Sequence, residues 1–238
     1  KSVVAQAIII SDQLQIPLYT IQKPFGYPSF LFKQQLVPIH DYLKYYPEFK
    51  LKSDSISNQI ILTKDTNNFN CKIINTVIAP NTYKFNINNV RDNLISILIG
   101  GSLYNKPYNG NKILKCIKNI NNKYIKNNNY KLNIITSRRT PKLLKDQIIN
   151  LGFTINEKYG SVSNAYYKSK IILITDDSFC MISECIQSGL IPYIINTHNI
   201  GNRLRIGLNY LDNKKYIEYY SNNINLRDNN YQKCSILK

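Results

Sequence analysis

The stretch Ile171 to Ile195, IILITDDSFCMISECIQSGLIPYII, narrows what this chain can fold into more than any other. Ile171–Ile174 is a short continuous apolar run, the pattern of a strand buried on both faces of a parallel sheet. Thr175, Asp176, Asp177 and Ser178 follow, and Asp177 or Ser178 can accept from the orphan amides of a new helix. Phe179, Ile182 and Ile186 repeat at helical spacing until Gly189, a natural left-handed C′ residue. Leu190–Ile195 reads as a second buried strand. Strand, helix, strand of this kind is a right-handed βαβ unit. Such units bind ligands at the carboxyl ends of their strands. Thr175–Ser178 therefore falls on the functional edge, with Glu184 on the helix behind it.

Other segments repeat the alternation, which predicts an α/β fold with parallel sheets. Val3–Leu14 reads as a helix, Pro17–Gln22 as a strand and Leu36–Pro38 as a strand ending in Ile39-His40-Asp41. Gln59–Leu62 and Thr76–Ala79 are further short strands. Residues 80–93 are polar, with little periodicity, and read as a linker. Leu94–Ile99 is a strand ending in Gly100-Gly101-Ser102, and Ile113, Leu114, Ile117 and Ile120 mark a helix. Leu132–Thr136 runs into Ser137-Arg138-Arg139-Thr140-Pro141, where Thr140 is placed to cap a helix with Pro141 at its first position. That helix carries Leu143, Leu144, Ile148 and Leu151 and ends at Gly152. A weak strand near 153–157, a helix near 162–167 and a helix over 198–211 complete the pattern. The expected organisation is a first α/β domain over 1–86, a second over 87–212 and a polar tail over 213–238. The opening residues read as a helix already under way, so we expect the first domain to have lost its start.

The net charge of +17 invites a polyanionic partner. Lys is spread along the chain, however, and the abundance of Lys, Asn, Ile and Tyr follows A/T-rich codons. No basic motif interleaved with aromatics is present, which argues against nucleic acid. An anionic membrane surface remains open as a partner. The five cysteines include no C-x-x-C pair and there are two histidines, so no metal site is expected. Their scatter suits a reducing cytoplasm. Cys180 and Cys185 read as small buried apolar residues. No apolar run reaches the length of a membrane span.

Three segments end strands on the same expected edge: Gly100-Gly101-Ser102, Ser137-Arg138-Arg139-Thr140 and Asp177-Ser178 after Asp176. Adjacent glycines let a backbone approach closely and aim amides at an anion. Arg138 and Arg139 carry forked donors suited to phosphate oxygens. The helix starting near Ser178 adds a dipole end. Together they would hold a diphosphate; each also has a plain reading as a turn or a cap. Glu184 either accepts from both ribose hydroxyls or is a solvated helix residue. Asp176 and Asp177 are adjacent and point apart, so capping is expected of them before metal binding. His40 with Asp41 is either a polar strand end or the general base of an acceptor site.

The motifs ILIGGS (97–102), IITSRRTP (134–141) and ITDDS (174–178), with MISEC (181–185) and Ser188-Gly189, resemble the mitochondrial-fission "elongated mitochondria" family. VPIHD (37–41) resembles that family's strand-end proline and His-Asp pair. The resemblance runs from about residue 2 to about residue 210. Family members are similar to metal-independent glycosyltransferases with two Rossmann-like domains facing a cleft. The resemblance implies a nucleoside-diphosphate sugar as donor substrate in the second domain, with Glu184 on the ribose, and no separate cofactor. With the cysteine usage, the expected location is cytoplasmic, with or without a membrane-peripheral position. His40 is the one acid/base candidate. The alternative is a non-catalytic membrane-surface or scaffold protein for organelle or envelope remodelling. Members begin with a strand and a Gly-rich loop that this sequence does not show before Lys1.

Overall fold

A computed structural model describes residues 3–22, 24, 26–41, 60–62, 71–79, 81, 90–101, 108–126, 129–197 and 200–227. The chain divides into two compact units, the first over Lys1–Pro80 and the second beginning at Asn81 and running to Cys234.

In the first unit, helix α1 (Val3–Leu14) leads to β1 (Tyr19–Ile21), β2 (Gln34–Pro38), β3 (Ile60–Leu62) and β4 (Lys72–Thr76). The sheet order is β1-β2-β4-β3; β1, β2 and β4 are parallel and β3 runs against β4. The strand expected at Thr76–Ala79 lies earlier in the chain. Ile78 and Ala79 are buried beyond its end, so their apolar character marks packing and not pairing. Helical residues 39–41 follow β2 directly, and Val37 and Ile39 are fully buried there.

The second unit is built on β5 (Asp92–Ile99), β6 (Lys131–Thr136), β7 (Ile155–Asn156), β8 (Ser169–Thr175), β9 (Tyr193–Ile195) and β10 (Glu218–Tyr219). The sheet order is β10-β9-β8-β5-β6-β7, and every pair is parallel. Counted within the unit this is 6-5-4-1-2-3, the doubly wound Rossmann-like order. Its helices are α2 (Gly110–Ile120, continued by a π-helical turn over Asn121–Ile125), α3 (Lys142–Asn150), α4 (Ser161–Lys168), α5 (Phe179–Gln187) and α6 (Asn202–Asn213).

Both faces of this sheet are covered, which is why its central strands are continuously apolar. Ile95, Ile97 and Ile99 of β5 pack with Ile113, Ile117 and Ile120 of α2 and Leu144 and Ile148 of α3. By the alternation of a strand, Leu98 points to the other face, as do Ile172 and Ile174 of β8. All three are fully buried. One polar thread crosses this core: Ser96 and Ser169 share a hydroxyl hydrogen bond of 2.7 Å, and Asn133 Nδ2 donates to Ser96 Oγ at 3.1 Å.

Several expectations change. The strand read from Leu190 starts only at Tyr193, because the Leu190 amide donates to Cys185 O and closes α5, and Pro192 has no amide to give a ladder. Leu143, expected on an apolar helix face, is exposed, as is Cys180, whereas Cys185 is buried. Arg91, at the end of the expected linker, is buried; its guanidinium donates to the carbonyls of Tyr166, Ser169 (3.1 Å) and Ser188 (3.0 Å). The residues read as a polar tail extend the second unit. β10 pairs with β9, Leu226 joins the core, and the Leu226 amide donates to Tyr124 Oη at 2.7 Å. Among the described residues, no helix is long and apolar enough to cross a membrane.

Candidate functional site

In a doubly wound sheet the strand order reverses at one point, and the crevice there is where ligands sit. In this chain the reversal lies between β5 and β8, so the crevice opens at Gly100 and at Asp176. β6 lies on the other side of β5 in parallel register, with Ile99 opposite Thr136. The three expected segments thus emerge from adjacent strands on one edge. Ser102 lies outside the described residues.

The glycine pair works differently from what its sequence suggests. Gly100 N donates to Thr175 Oγ1 at 2.8 Å, and Gly101 N donates to Asp177 Oδ2 at 2.8 Å. Both amides are therefore spent inside the protein instead of facing an anion. A Cβ on Gly100 would stand 2.0 Å from Asp177 Oδ2, and one on Gly101 would stand 2.1 Å from the Arg139 carbonyl oxygen. Glycine is required because a carboxylate fills one cradle and a backbone turn fills the other.

Asp176 and Asp177 are both buried, and neither caps a helix. Asp176 Oδ1 accepts from Thr197 N (3.1 Å) and Thr197 Oγ1 (2.5 Å), tying the end of β8 to the segment after β9. Asp177 ties β8 to β5 through Gly101, and its Oδ2 lies 3.8 Å from Arg139 Nη2. Burial raises the pKa of both carboxyls, against the hydrogen bonds that lower it; for Asp177 those come from Thr175 and Gly101, helped by the Arg139 charge. Tyr108 lies within electrostatic reach of Asp177, Asp176 and Arg139, and burial pushes its phenol pKa up.

Thr140 does not cap α3; Pro141 takes that position with no side-chain bond. The Thr140 hydroxyl is buried and directed at the carbonyls of Gly100 (2.5 Å) and Ile99 (3.0 Å), while accepting from Ser137 N at 2.9 Å. Ser137 Oγ accepts from Arg139 N at 3.2 Å. These bonds set the turn that leaves Arg138 and Arg139 exposed at the strand end, with Arg139 leaning towards Asp177.

Ser178 is the N-cap of α5, accepting from Met181 N at 3.5 Å, and Phe179, Ile182 and Ile186 are buried as the spacing predicts. Glu184 is half-buried. Its Oε2 accepts from Tyr166 Oη at 3.1 Å, and Tyr166 itself is fully buried on α4, with the same hydroxyl 3.0 Å from Met181 O. Burial raises the Glu184 pKa and the Tyr166 bond opposes that rise. The glutamate thus has a buried partner that its sequence context hides.

Cys180 lies between these groups. Although the side chain reaches the surface, desolvation by its neighbours raises its thiol pKa, Glu184 raises it further, and Arg139 and Arg203 lower it. Arg139, Glu184 and Arg203 therefore share one neighbourhood around Cys180. Arg203 was not anticipated. The available signal was two arginines, Arg203 and Arg205, in the first residues of α6, with no acid in its first turn. That is the helix end where the dipole favours anions. Beside it a cavity opens between Asp176, Asn196, Arg205, Asn209 and Tyr219.

His40 belongs to the first unit. It is buried, with its Nε2 3.8 Å from Asp41 Oδ1, and Asp41 is buried as well. Among the described residues, no group of His, Cys, Asp and Glu side chains is arranged to hold a metal ion.

A family model described as mitochondrial fission ELM1 matches residues 7–235 of the chain. No curated protein matches it.

Proposed function

The chain belongs to the mitochondrial fission ELM1 family, and from that premise we propose that its second unit binds a nucleoside diphosphate, as the donor part of a nucleotide sugar. The observation that carries this reading is the edge at the switch point of a doubly wound sheet, where Arg139 stands 3.8 Å from Asp177 and Ser178 caps the helix that carries Glu184. Arg138, Arg139 and Arg203 supply forked donors to phosphate oxygens, and Ser178 with the first amides of α5 supplies the dipole end. Gly100, Gly101, Thr140 and Asp177 act one step back, by holding the turns in place. Ser137 fixes the backbone from which both arginines project.

Glu184 reads the ribose. Two adjacent hydroxyls can donate to one ionised carboxylate, with charge-assisted bonds worth roughly 1.5–3 kcal/mol each. Any sugar transfer would proceed without metal, the charge on the leaving diphosphate being met by the arginines. Calorimetric titration with a nucleoside diphosphate tests the reading on wild type and Glu184→Gln. About a tenfold loss of affinity is expected, since 1.4 kcal/mol is one decade. Equal affinity, or no binding by either protein, overturns it.

A second reading, a non-catalytic protein at an anionic membrane surface, draws on the net charge of +17 and on α1, which buries none of its residues although Val3, Ile9, Ile10 and Leu14 are apolar. It requires sedimentation with anionic vesicles that survives physiological salt.

A further inference from the structure

The second unit carries another cavity, lined by none of the residues assigned above to the nucleotide; it shares Asn196 with the cavity beside Arg205. It lies between the start of α2 and the segment after β10, over the end of β9. Lys112, Lys115, Asn196, Tyr220, Ser221 and Asn222 line it. The two ammonium groups come from the same face of α2, three residues apart, within its first two turns. Among the described residues no carboxylate lines the cavity, and neither lysine belongs to an ion pair. A hydroxyl on Ser221 and amides on Asn196 and Asn222 add neutral donors.

The walls are held before any ligand arrives. Asn119 Nδ2 donates to Tyr220 Oη at 2.7 Å and to Asn222 O at 3.3 Å, and Tyr220 N donates to Ile194 O at 2.9 Å. Lys123 Nζ donates to Asn225 Oδ1 at 2.7 Å, so the segment is fastened to α2 at several points. Two cations with no ion-pair partner among the described residues, neutral donors and a fixed wall suit an oxyanion. The cavity holds about 320 Å³, at the small end of ligand pockets and larger than a bare phosphate needs.

We propose that this cavity binds a small phosphate monoester, with Lys112 and Lys115 as the charged ligands of its phosphate. The test uses the full chain and two probes, inorganic phosphate and glycerol phosphate, titrated by calorimetry at constant ionic strength set with chloride. Vesicles carrying phosphatidic acid form a third arm, which separates a lipid headgroup from a soluble ester. Two double variants remove equal charge: Lys112→Gln/Lys115→Gln on the cavity wall, where Lys115 is exposed, and Lys118→Gln/Lys126→Gln on exposed positions of the same helix and its exit that do not line the cavity. Thermal unfolding in chloride verifies that both remain folded. The expected result is saturable binding of at least one probe, weakened about tenfold or more by the cavity pair and unchanged by the exposed pair. Arg138→Gln/Arg139→Gln, which would remove nucleoside diphosphate binding, leaves it intact. Absence of saturable binding, or equal loss in the cavity and exposed variants, overturns the proposal. The latter would mean that only the general positive charge attracts the anion.

Discussion

The amide of Gly101 donates to Asp177 Oδ2 at 2.8 Å, linking the segments that leave the two strands at which the sheet reverses its order. A glycine-rich strand end and an acidic strand end, far apart in sequence, are one contact. The close approach is sterically exact enough to be tested. In Gly101→Ala the new Cβ would meet the Arg139 carbonyl carbon and oxygen at 2.2 and 2.1 Å, and backbone cannot swing aside as a side-chain tip can. We expect a loss of about 1–3 kcal/mol in urea unfolding. A loss below about half of one kcal/mol would show that the turn at 137–140 yields freely.

Asp177 makes stability depend on pH in a definite direction. Burial, the largest influence, raises its folded pKa above the unfolded value, so the folded protein holds this proton more tightly. The stabilisation is complete below the unfolded pKa. It falls as pH rises from about 4 through the raised folded value, and stays lost above it. Asp177→Asn removes the charge and keeps an acceptor for Gly101. Its stability relative to wild type should climb over that window. Parallel pH profiles for the two proteins would refute the idea.

Tyr166 and Glu184 form the second testable pair. The Tyr166 bond is the one influence that lowers the Glu184 pKa against burial. Tyr166→Phe should therefore raise the Glu184 pKa further, followed by carboxyl carbon NMR. It should also cost about 1 kcal/mol of stability, since one hydroxyl serving Glu184 and Met181 is lost. An unchanged titration would mean that the hydroxyl's bond lies wholly with the Met181 carbonyl.

Arg91 replaces a carboxylate partner with three carbonyls, those of Tyr166, Ser169 and Ser188. A lysine keeps the charge but cannot present a planar fork to three oxygens. Arg91→Lys is expected to lose about 2–4 kcal/mol, because buried acceptors are stranded along with part of a buried charge. Chemical denaturation measures it, and near-wild-type stability would show that water enters to replace the fork.

What the sequence by itself determined is the order of elements and the edge on which chemistry is sought. Ile171–Ile174 and Ile95–Ile99 are buried on both faces, Phe179, Ile182 and Ile186 face inward, Ser178 caps α5 and Gly189 has its positive φ of 86°. These are local properties: apolar runs, helical spacing and cap chemistry act between residues a few positions apart. What the tertiary structure decided is where each polar group's partner lies. Asp177 meets Gly101 across 76 positions, Thr140 meets Gly100 across 40, and Arg91 meets Ser188 across 97. A glycine pair that can aim amides at an anion reads the same in sequence as one that makes room for a carboxylate. Likewise Glu184 reads as solvated until α4 brings Tyr166 to it, and the tail reads as polar until Leu226 reaches the core. A buried polar group must be paired, but the pairing is a property of the folded arrangement, and periodicity carries no record of it.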